Sequence, residues 1–582
     1  MRRWFATWVI LSFLLFMLLP MSNVKLVKAG SIDVPDDYPT IQEAINAAMP
    51  GDTIYVKDGG YYEHVVLNKS VALIAKGEAV IDGGGSGTVL DIRTGCIVKG
   101  FTIQNSGEHH PGIIIQDIIA DPPPFMPYIT ITECNIVGNG VGIIQDIITD
   151  PPPFMPYNVT RNHIFGNGVG MRILNRRSFD HIGNFYIVEN NITSNKEYGV
   201  YIENSKDVKF EGNIISDNGF TGVFINNSTN ITSLKDKVID NGLNGTTTYE
   251  ACNIYINGSS AIIFGQMMDT LRRMPRAYGV NITRAAVFVD SSEGIRVTDS
   301  MLAGAGSGVG LYRKKGLVVL SQSFYSGNTI ANFTYGIYFE EVNNAAIITR
   351  NTLANNTVGL LLDNSSGNSI YHNNFKSNSQ HVMIVGASKN IWDKNGEGNY
   401  WSDHSSIDLC SGPYQNMTGS DGIGDAPYTI DADNIDKYPL MAPLSTFNAG
   451  TWNGATCNID IVSNSTISNF QLSIINKTVS FNVAGGVGTS GFCRITIPNV
   501  IVQELWQGNY TVLLNGEPHP FKNWTDSENT YIYINYTHST HEITIIPEFL
   551  STLPLAVFML TTLTATAIWK AKKRQFPNFY FY

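Results

Sequence analysis

The chain has 582 residues, 38 of them basic and 49 acidic, for a net charge of −11. Only 15% of residues are charged, against roughly 25% in an average soluble domain, while 43% are hydrophobic, too many for a disordered chain. Eight of the basic residues lie in 1–30 and 549–582, which contain no acid, so the middle of the chain holds 30 basic and 49 acidic side chains, a net −19. A surface of that sign repels phosphate backbones, which excludes nucleic acid as a partner.

At the N-terminus Arg2 and Arg3 precede an apolar run from Trp4 to Leu19, Pro20 ends it, and Val27-Lys28-Ala29 offers small residues for cleavage. Residues 1–30 therefore read as a signal peptide. Residues 31–60 read as an N-terminal cap. Tyr38-Pro-Thr40 leads into Ile41-Gln-Glu-Ala-Ile-Asn-Ala-Ala48, where Ile41, Ala44, Ile45 and Ala48 share one helical face. Thr40 suits the N-cap with Glu43 three residues on, Pro50-Gly51 stops the helix, and Thr53-Ile-Tyr-Val56 begins a strand.

From 61 to 400 one phrase recurs: Gly199-Val-Tyr-Ile, Gly222-Val-Phe-Ile, Gly336-Ile-Tyr-Phe and Gly359-Leu-Leu-Leu. Asn-rich turns separate the phrases, among them Glu189-Asn-Asn-Ile-Thr-Ser-Asn and Arg350-Asn-Thr-Leu-Ala-Asn-Asn. A supersecondary unit recurring every 20–50 residues means a solenoid. Short β-type runs without a ten-residue helix make it a parallel β-helix of about 13 rungs, each about 4.8 Å from the next. Asn at the corners is expected both to adopt the left-handed conformation and to stack its amides.

Two segments interrupt the rhythm. Gln116-Asp-Ile-Ile-Ala-Asp-Pro-Pro-Pro-Phe-Met-Pro-Tyr128 returns almost unchanged as Gln145-Asp-Ile-Ile-Thr-Asp-Pro-Pro-Pro-Phe-Met-Pro-Tyr157. Stacked rung on rung, this predicts Asp117 over Asp146, Asp121 over Asp150, Phe125 over Phe154 and Tyr128 over Tyr157. Paired carboxylates about 5 Å apart suit retaining glycoside hydrolysis or calcium held with backbone oxygens, and the paired aromatics suit sugar rings. The competing reading is a proline-stiffened duplicated loop whose aspartates start turns. The second insertion, Gln266 to Arg276, is basic and Met-rich and reads as a lid-like loop. For lyase chemistry the bases on hand are Arg161, Arg172, Arg176 and Arg177. His109-His110 reads as a solvent-exposed pair.

Residues 401–444 form a C-terminal cap segment. Asp421, Asp425, Asp431, Asp433 and Asp436 crowd among glycines there. Asp421, Asp425, Asp431 and Asp433 are the calcium candidates. The alternative is an irregular cap tied by Asx turns, with Tyr400 and Trp401 packing the end of the solenoid. From 445 to 545 the period becomes two, as in Thr478-Val-Ser-Phe-Asn-Val483 and Tyr531-Ile-Tyr-Ile-Asn-Tyr536, which predicts a small β-sandwich. Cys457 and Cys493 fall in that region and are the expected disulfide; the other four cysteines read as buried small hydrophobes. Residues 546–569 include an uncharged run from Phe549 to Trp569, long enough to span a bilayer. Lys570, Lys572, Lys573 and Arg574 open the tail 570–582, which the positive-inside rule places in the cytoplasm. Eighteen Asn-x-Ser/Thr sequons agree with export.

Ile41 to Ala48, then Gly51-Asp-Thr-Ile-Tyr-Val, Tyr62-Glu-His-Val and Val80-Ile-Asp-Gly-Gly-Gly, resemble the entry of right-handed β-helix proteins. That family includes pectin-lyase-like folds and NosD-like copper-associated periplasmic proteins. Gly398-Asn-Tyr-Trp-Ser-Asp403, Asp421-Gly-Ile-Gly-Asp-Ala-Pro-Tyr-Thr-Ile430 and Asn434-Ile-Asp-Lys-Tyr-Pro-Leu440 resemble the closing segment of NosD-like and archaeal surface β-helix proteins. The resemblance covers about residues 31–444. It implies an all-β, right-handed parallel β-helix with capping helix, sandwich and C-terminal membrane helix. Copper handling would want Met, His or Cys in line, and the 11 His are spread along the chain. The expected function is binding of polysaccharide or surface glycan on the lateral face. The alternatives are a polysaccharide lyase or glycoside hydrolase, and a structural or adhesive surface protein. Calcium is the one cofactor entertained. The expected location is the cell surface, with one C-terminal membrane pass.

Overall fold

The computed structural model describes residues 30–548 except 117–127, 148–155, 176–184, 246–251, 266–267, 272–284, 291–294, 305–306, 313–322 and the single positions 243, 258, 299, 345, 387 and 413. Residues 1–29, within the expected signal peptide 1–30, and the apolar run 549–569 lie outside it. Among the described residues no helix is long and apolar enough to cross a membrane. The chain divides into two units, 1–320 and 321–582.

The first unit is a parallel β-helix. One wall is a lateral sheet of ten parallel strands, from Val65–Leu67 to Ser307–Tyr312, stacked in chain order. The other strands of each rung pair in the same order on the remaining walls. Along each lateral strand the side chains alternate, so Val200, Ile202, Val223 and Ile225 fill the interior while Tyr201, Glu203 and Asn226 face outward. The phrase glycine has a steric cause. A Cβ on Gly199 would stand 2.6 Å from the Gly222 carbonyl oxygen, and one on Gly336 2.5 Å from that of Gly359. Near the start of the unit Ile41–Ala47 is an α-helix that buries Ile41, Ala44 and Ile45, and the Thr40 hydroxyl accepts the Glu43 N–H at 3.2 Å.

On the buried ladders, corner and amide are two adjacent residues, whereas Asn204 and Asn227 do both jobs as expected, with φ of 51° and 45° and Asn227 Nδ2 donating to Asn204 Oδ1 at 2.6 Å. Gly138, Gly166, Ser194, Asp217 and Asp240 hold positive φ. The asparagines that follow them, Asn139, Asn167, Asn195, Asn218 and Asn241, form the buried ladder. In each step the backbone N–H and Nδ2 of one Asn both donate to the Oδ1 of the next, as from Asn195 to Asn218 at 3.1 and 2.8 Å. Nδ2 also donates back to the rung behind, as from Asn218 to the Ile192 carbonyl at 3.1 Å. A second ladder runs Asn162, Asn190, Asn213 and ends on Asp236. The last member has only to accept, so a carboxylate can stand there. Burial pushes the Asp236 carboxyl up to about 6, against the pull of its Ser233 and Asn213 donors.

The second unit repeats the plan with three lateral strands, Tyr335–Glu340, Val358–Asp363 and Gln380–Val385. Its ladder Asn328, Asn351, Asn373, Asn399 ends on Asp436, which also accepts the Trp401 indole N–H at 2.9 Å. Leu444 to Pro547 then form two five-stranded antiparallel sheets sharing one core of residues such as Ile459, Phe481, Ile495 and Ile534. The register overturns the Cys457–Cys493 disulfide. Cys493 faces Ser463, six residues along its strand from Cys457, or about 20 Å, and a disulfide needs Cα atoms within about 7 Å. All six cysteines are free. Cys493 instead lies buried beside the hydroxyls of Ser463 and Tyr536, each at 3.3 Å.

A buried ion cluster ties the rung loops of this unit to its antiparallel sheets. Glu397 Oε1 accepts from Arg494 Nε and Nη2 at 2.8 and 2.6 Å, and its Oε2 lies 2.9 Å from His372 Nε2. Arg494 packs over the Trp524 and Tyr531 rings at 4.9 and 4.8 Å. Arg350 forms a second, bidentate pair with Asp460. Burial alone would raise the Glu397 carboxyl, but the Arg494 guanidinium and His372 bring it down to about 2.

Candidate functional site

The outward face of the lateral sheet in the first unit concentrates the chemistry that the described residues offer. One row of register partners reads Ile144, Arg172, Tyr201, Phe224, Tyr255. Because strand neighbours stand about 4.8 Å apart, these rings stack along the solenoid: Tyr201 on Phe224 at 4.9 Å and Phe224 on Tyr255 at 5.2 Å. The Arg172 guanidinium extends the row, 5.5 Å from the Tyr201 ring centre. Tyr198, from the preceding turn, meets Tyr201, Phe224 and Phe220 edge-on at 5.3 to 5.4 Å. Phe224 and Tyr255 are buried beneath, while Tyr198, Tyr201 and Phe220 are half-buried at the surface.

Two residues along each strand runs a polar row: Asp146, Leu174, Glu203, Asn226, Asn257. Glu203 accepts from Asn226 Nδ2 at 3.0 Å, and Asn226 Oδ1 accepts from Asn257 Nδ2 at 2.9 Å. Burial, then the Glu203 charge, raises the Tyr201 hydroxyl, while Arg172 opposes the shift. The same tyrosine-to-glutamate spacing recurs in the second unit, where the Tyr338 hydroxyl donates to Glu340 at 2.6 Å. The strip thus combines half-exposed aromatic surface, one cation, two carboxylates and two amides.

Of the residues expected from the duplicated loops, Asp146 lies in the polar row. Asp117, Asp121, Phe125, Asp150 and Phe154 lie outside the described residues, as do Arg176 and Arg177. On the described strands that flank the loops, the register is not the offset of 29. Gln145 faces Ile115, a step of 30 rather than 29, and Tyr157 faces Ile129, a step of 28. Tyr128 therefore does not stack on Tyr157. Tyr157 is a core residue, fully buried, its ring 5.6 Å from Phe185. Arg161 sits at a corner of a different wall, at φ 53°, with Nη2 3.3 Å from Glu133. It is not brought to Asp146, which lies on the lateral wall.

The cap aspartates close loops. Asp421 accepts from Ile423 N, Gly412 N and Gln415 Nε2, and Asp425 from Leu409 N and Cys410 N. Asp431 accepts from Asp433 N and Asn434 N. These oxygens already hold N–H donors, and Asp431 and Asp433 belong to a separate turn. Among the described residues no three His, Cys, Asp or Glu side chains come together to hold a metal, so the calcium set does not assemble. The same holds for copper: His372 is taken by Glu397, and His381 by Asp403 at 3.2 Å.

Residues 246–406 match the family model described as periplasmic copper-binding protein (NosD), and residues 179–261 match that described as right handed beta helix region. No curated protein matches the chain. Among solved structures, the A-module of the Azotobacter vinelandii mannuronan C-5 epimerase AlgE4 is 16% identical, covering 62% of this chain and 96% of its own, with a TM-score of 0.38. The Dettilon tailspike protein is 11% identical over 89% of this chain and 93% of its own, with a TM-score of 0.33. PfbA, a surface adhesin of Streptococcus pneumoniae, is 11% identical over 62% and 90%, with a TM-score of 0.29. The two family models together span 179–406, so these rungs are similar to the right-handed β-helix region and to the NosD family.

Proposed function

We propose that the lateral strip of the first unit binds a polysaccharide, and that the protein displays it outside the cell, held by 549–569 as a membrane span. The observation that carries this reading is the half-exposed Tyr198, Tyr201 and Phe220 with Arg172, backed by the buried Phe224 and Tyr255, beside Glu203, Asn226 and Asn257. Apolar ring surface next to fixed donors and acceptors is what a sugar chain requires. The regular rung spacing suits a repeating ligand. With a net −19 outside the terminal segments, a neutral polymer is favoured over a polyanion.

The polar row supports binding rather than retaining hydrolysis. Retaining hydrolysis needs two carboxylates about 5 Å apart, and the register partners of Glu203 are Leu174 and Asn226. Full-length protein in detergent, screened against neutral and acidic polysaccharides, is expected to bind neutral chains without releasing reducing or unsaturated ends. Release of such ends would make it an enzyme. No binding across the panel would leave the structural or adhesive role. Tyr157→Phe is expected to leave affinity unchanged, because Tyr157 is core and not strip; a several-fold loss, checked by the same assay, would contradict that placement.

A further inference from the structure

We propose that the turn carrying Ile474 and Ile475 is a lipid-contacting tip that seats the antiparallel sheets on the bilayer. The inference rests on the reading that 549–569 crosses the membrane. Strand register fixes which end of these sheets is which. The chain enters at Leu444, opposite Val462, and Ser463 faces Cys493. Ser490 faces Thr537 on the next strand, and the following residues turn to Thr540, opposite Ala484. All of these mark the end nearest the rungs of this unit. The opposite end is marked by Pro547 facing Tyr510, Ile545 facing Val479, and Thr478 facing Ser473. The turn 474–477 and the last described residue, Glu548, therefore share the end away from the rungs. On neighbouring strands they stand on the order of 10 Å apart. The uncharged run from Phe549 to Trp569 begins there.

At that end Ile474 is 66% exposed and Ile475 94% exposed. Turn tips are ordinarily filled by Gly, Asn, Asp or Ser, and two adjacent isoleucines in water are unfavourable. The turn is closed by Ser473 Oγ accepting from Asn476 N at 3.1 Å, and its base by the Trp506 indole donating to the Lys477 carbonyl at 2.8 Å. The isoleucines are thus presented by an ordered turn beside the start of the apolar run. A bilayer interface is the partner of matching chemistry.

The test uses the full chain reconstituted in phosphatidylcholine vesicles. Ile475→Trp adds a fluorophore at the tip. Val487→Trp adds one at another highly exposed turn position, near the opposite end. Brominated lipid is expected to quench the added emission at 475 several-fold more than that at 487. Equal lack of quenching in protein that still floats with the vesicles would overturn the tip and leave the anchor standing. Failure to float with the vesicles would overturn the anchor and the tip together. Asn476 lies in a sequon; a glycan found there by mass spectrometry would also overturn the proposal, because it would hold the tip off the lipid.

Discussion

Glu397→Gln is expected to destabilise the second unit by about 3–5 kcal/mol, the range for removing one partner of a buried ion pair. The Arg494 guanidinium would stay buried without its counter-charge, because the Gln amide oxygen still accepts but carries no charge. In a unit of this size that is a fall of roughly 10 °C in melting temperature. The pH dependence gives an independent reading. Glu397 titrates near 4.5 unfolded and near 2 folded. A depressed folded pKa contributes stability that is present above about pH 4.5 and lost as pH falls toward 2. Asp436 acts with the opposite sign: burial pushes it up to about 7, against its N–H donors, so its contribution falls as pH rises from about 3.8 to 7. The acid limb below pH 4.5 should therefore flatten in Glu397→Gln while the limb toward neutrality persists. Melting curves between pH 2 and 8 check both; a variant within 2 °C of the parent at pH 7 would show that the cluster contributes nothing net.

Asn218→Ala carries the other large effect. It removes the oxygen that accepts from both Asn195 N and Asn195 Nδ2, and the amide that donates to Asn241 Oδ1 and the Ile192 carbonyl. Each buried polar group left unpaired costs about 1–3 kcal/mol, so a loss of about 3–5 kcal/mol is expected for the first unit. Asn204→Gly, at a left-handed corner of φ 51° outside the ladder, should cost only a few tenths, since glycine adopts that conformation freely. Chemical denaturation of the two variants side by side checks the contrast. Equal losses would mean that the ladder is decoration on a solenoid held by its apolar core.

The solenoid was readable because its causes are local and repeated. Gly199 and Gly222 recur because a Cβ would strike the next rung, and alternating Val and Ile mark the inward positions of each strand. Helix Ile41–Ala47 follows from apolar spacing and the Thr40 hydroxyl. The site was half readable. Tyr201 and Phe224 stand at the same outward position of the phrases Gly199-Val-Tyr-Ile and Gly222-Val-Phe-Ile, and that aromatic recurrence was the available signal. The conspicuous duplicated loops drew attention away from it. Tyr128 and Tyr157 do not pair because sequence offset is not register: on the described strands flanking the loops the steps are 30 and 28, and one position in a strand changes the face. Cys457 and Cys493 show the same limit, close in sequence but six residues out of register. The cap aspartates were visible as a cluster, but whether a carboxylate meets N–H groups or a cation depends on loop conformation that no spacing encodes.

The account stands on the lateral strip as the ligand surface. Its most direct test is affinity of the full-length protein for the best polysaccharide of the panel, measured for the parent, Tyr201→Ala and Glu203→Gln. Loss of the half-exposed ring or of the acceptor that organises Asn226 is expected to weaken binding at least tenfold, on the order of 1.4 kcal/mol, with melting temperature nearly unchanged. Undiminished affinity in both variants, with folding intact, would contradict the assignment and move the ligand to another face.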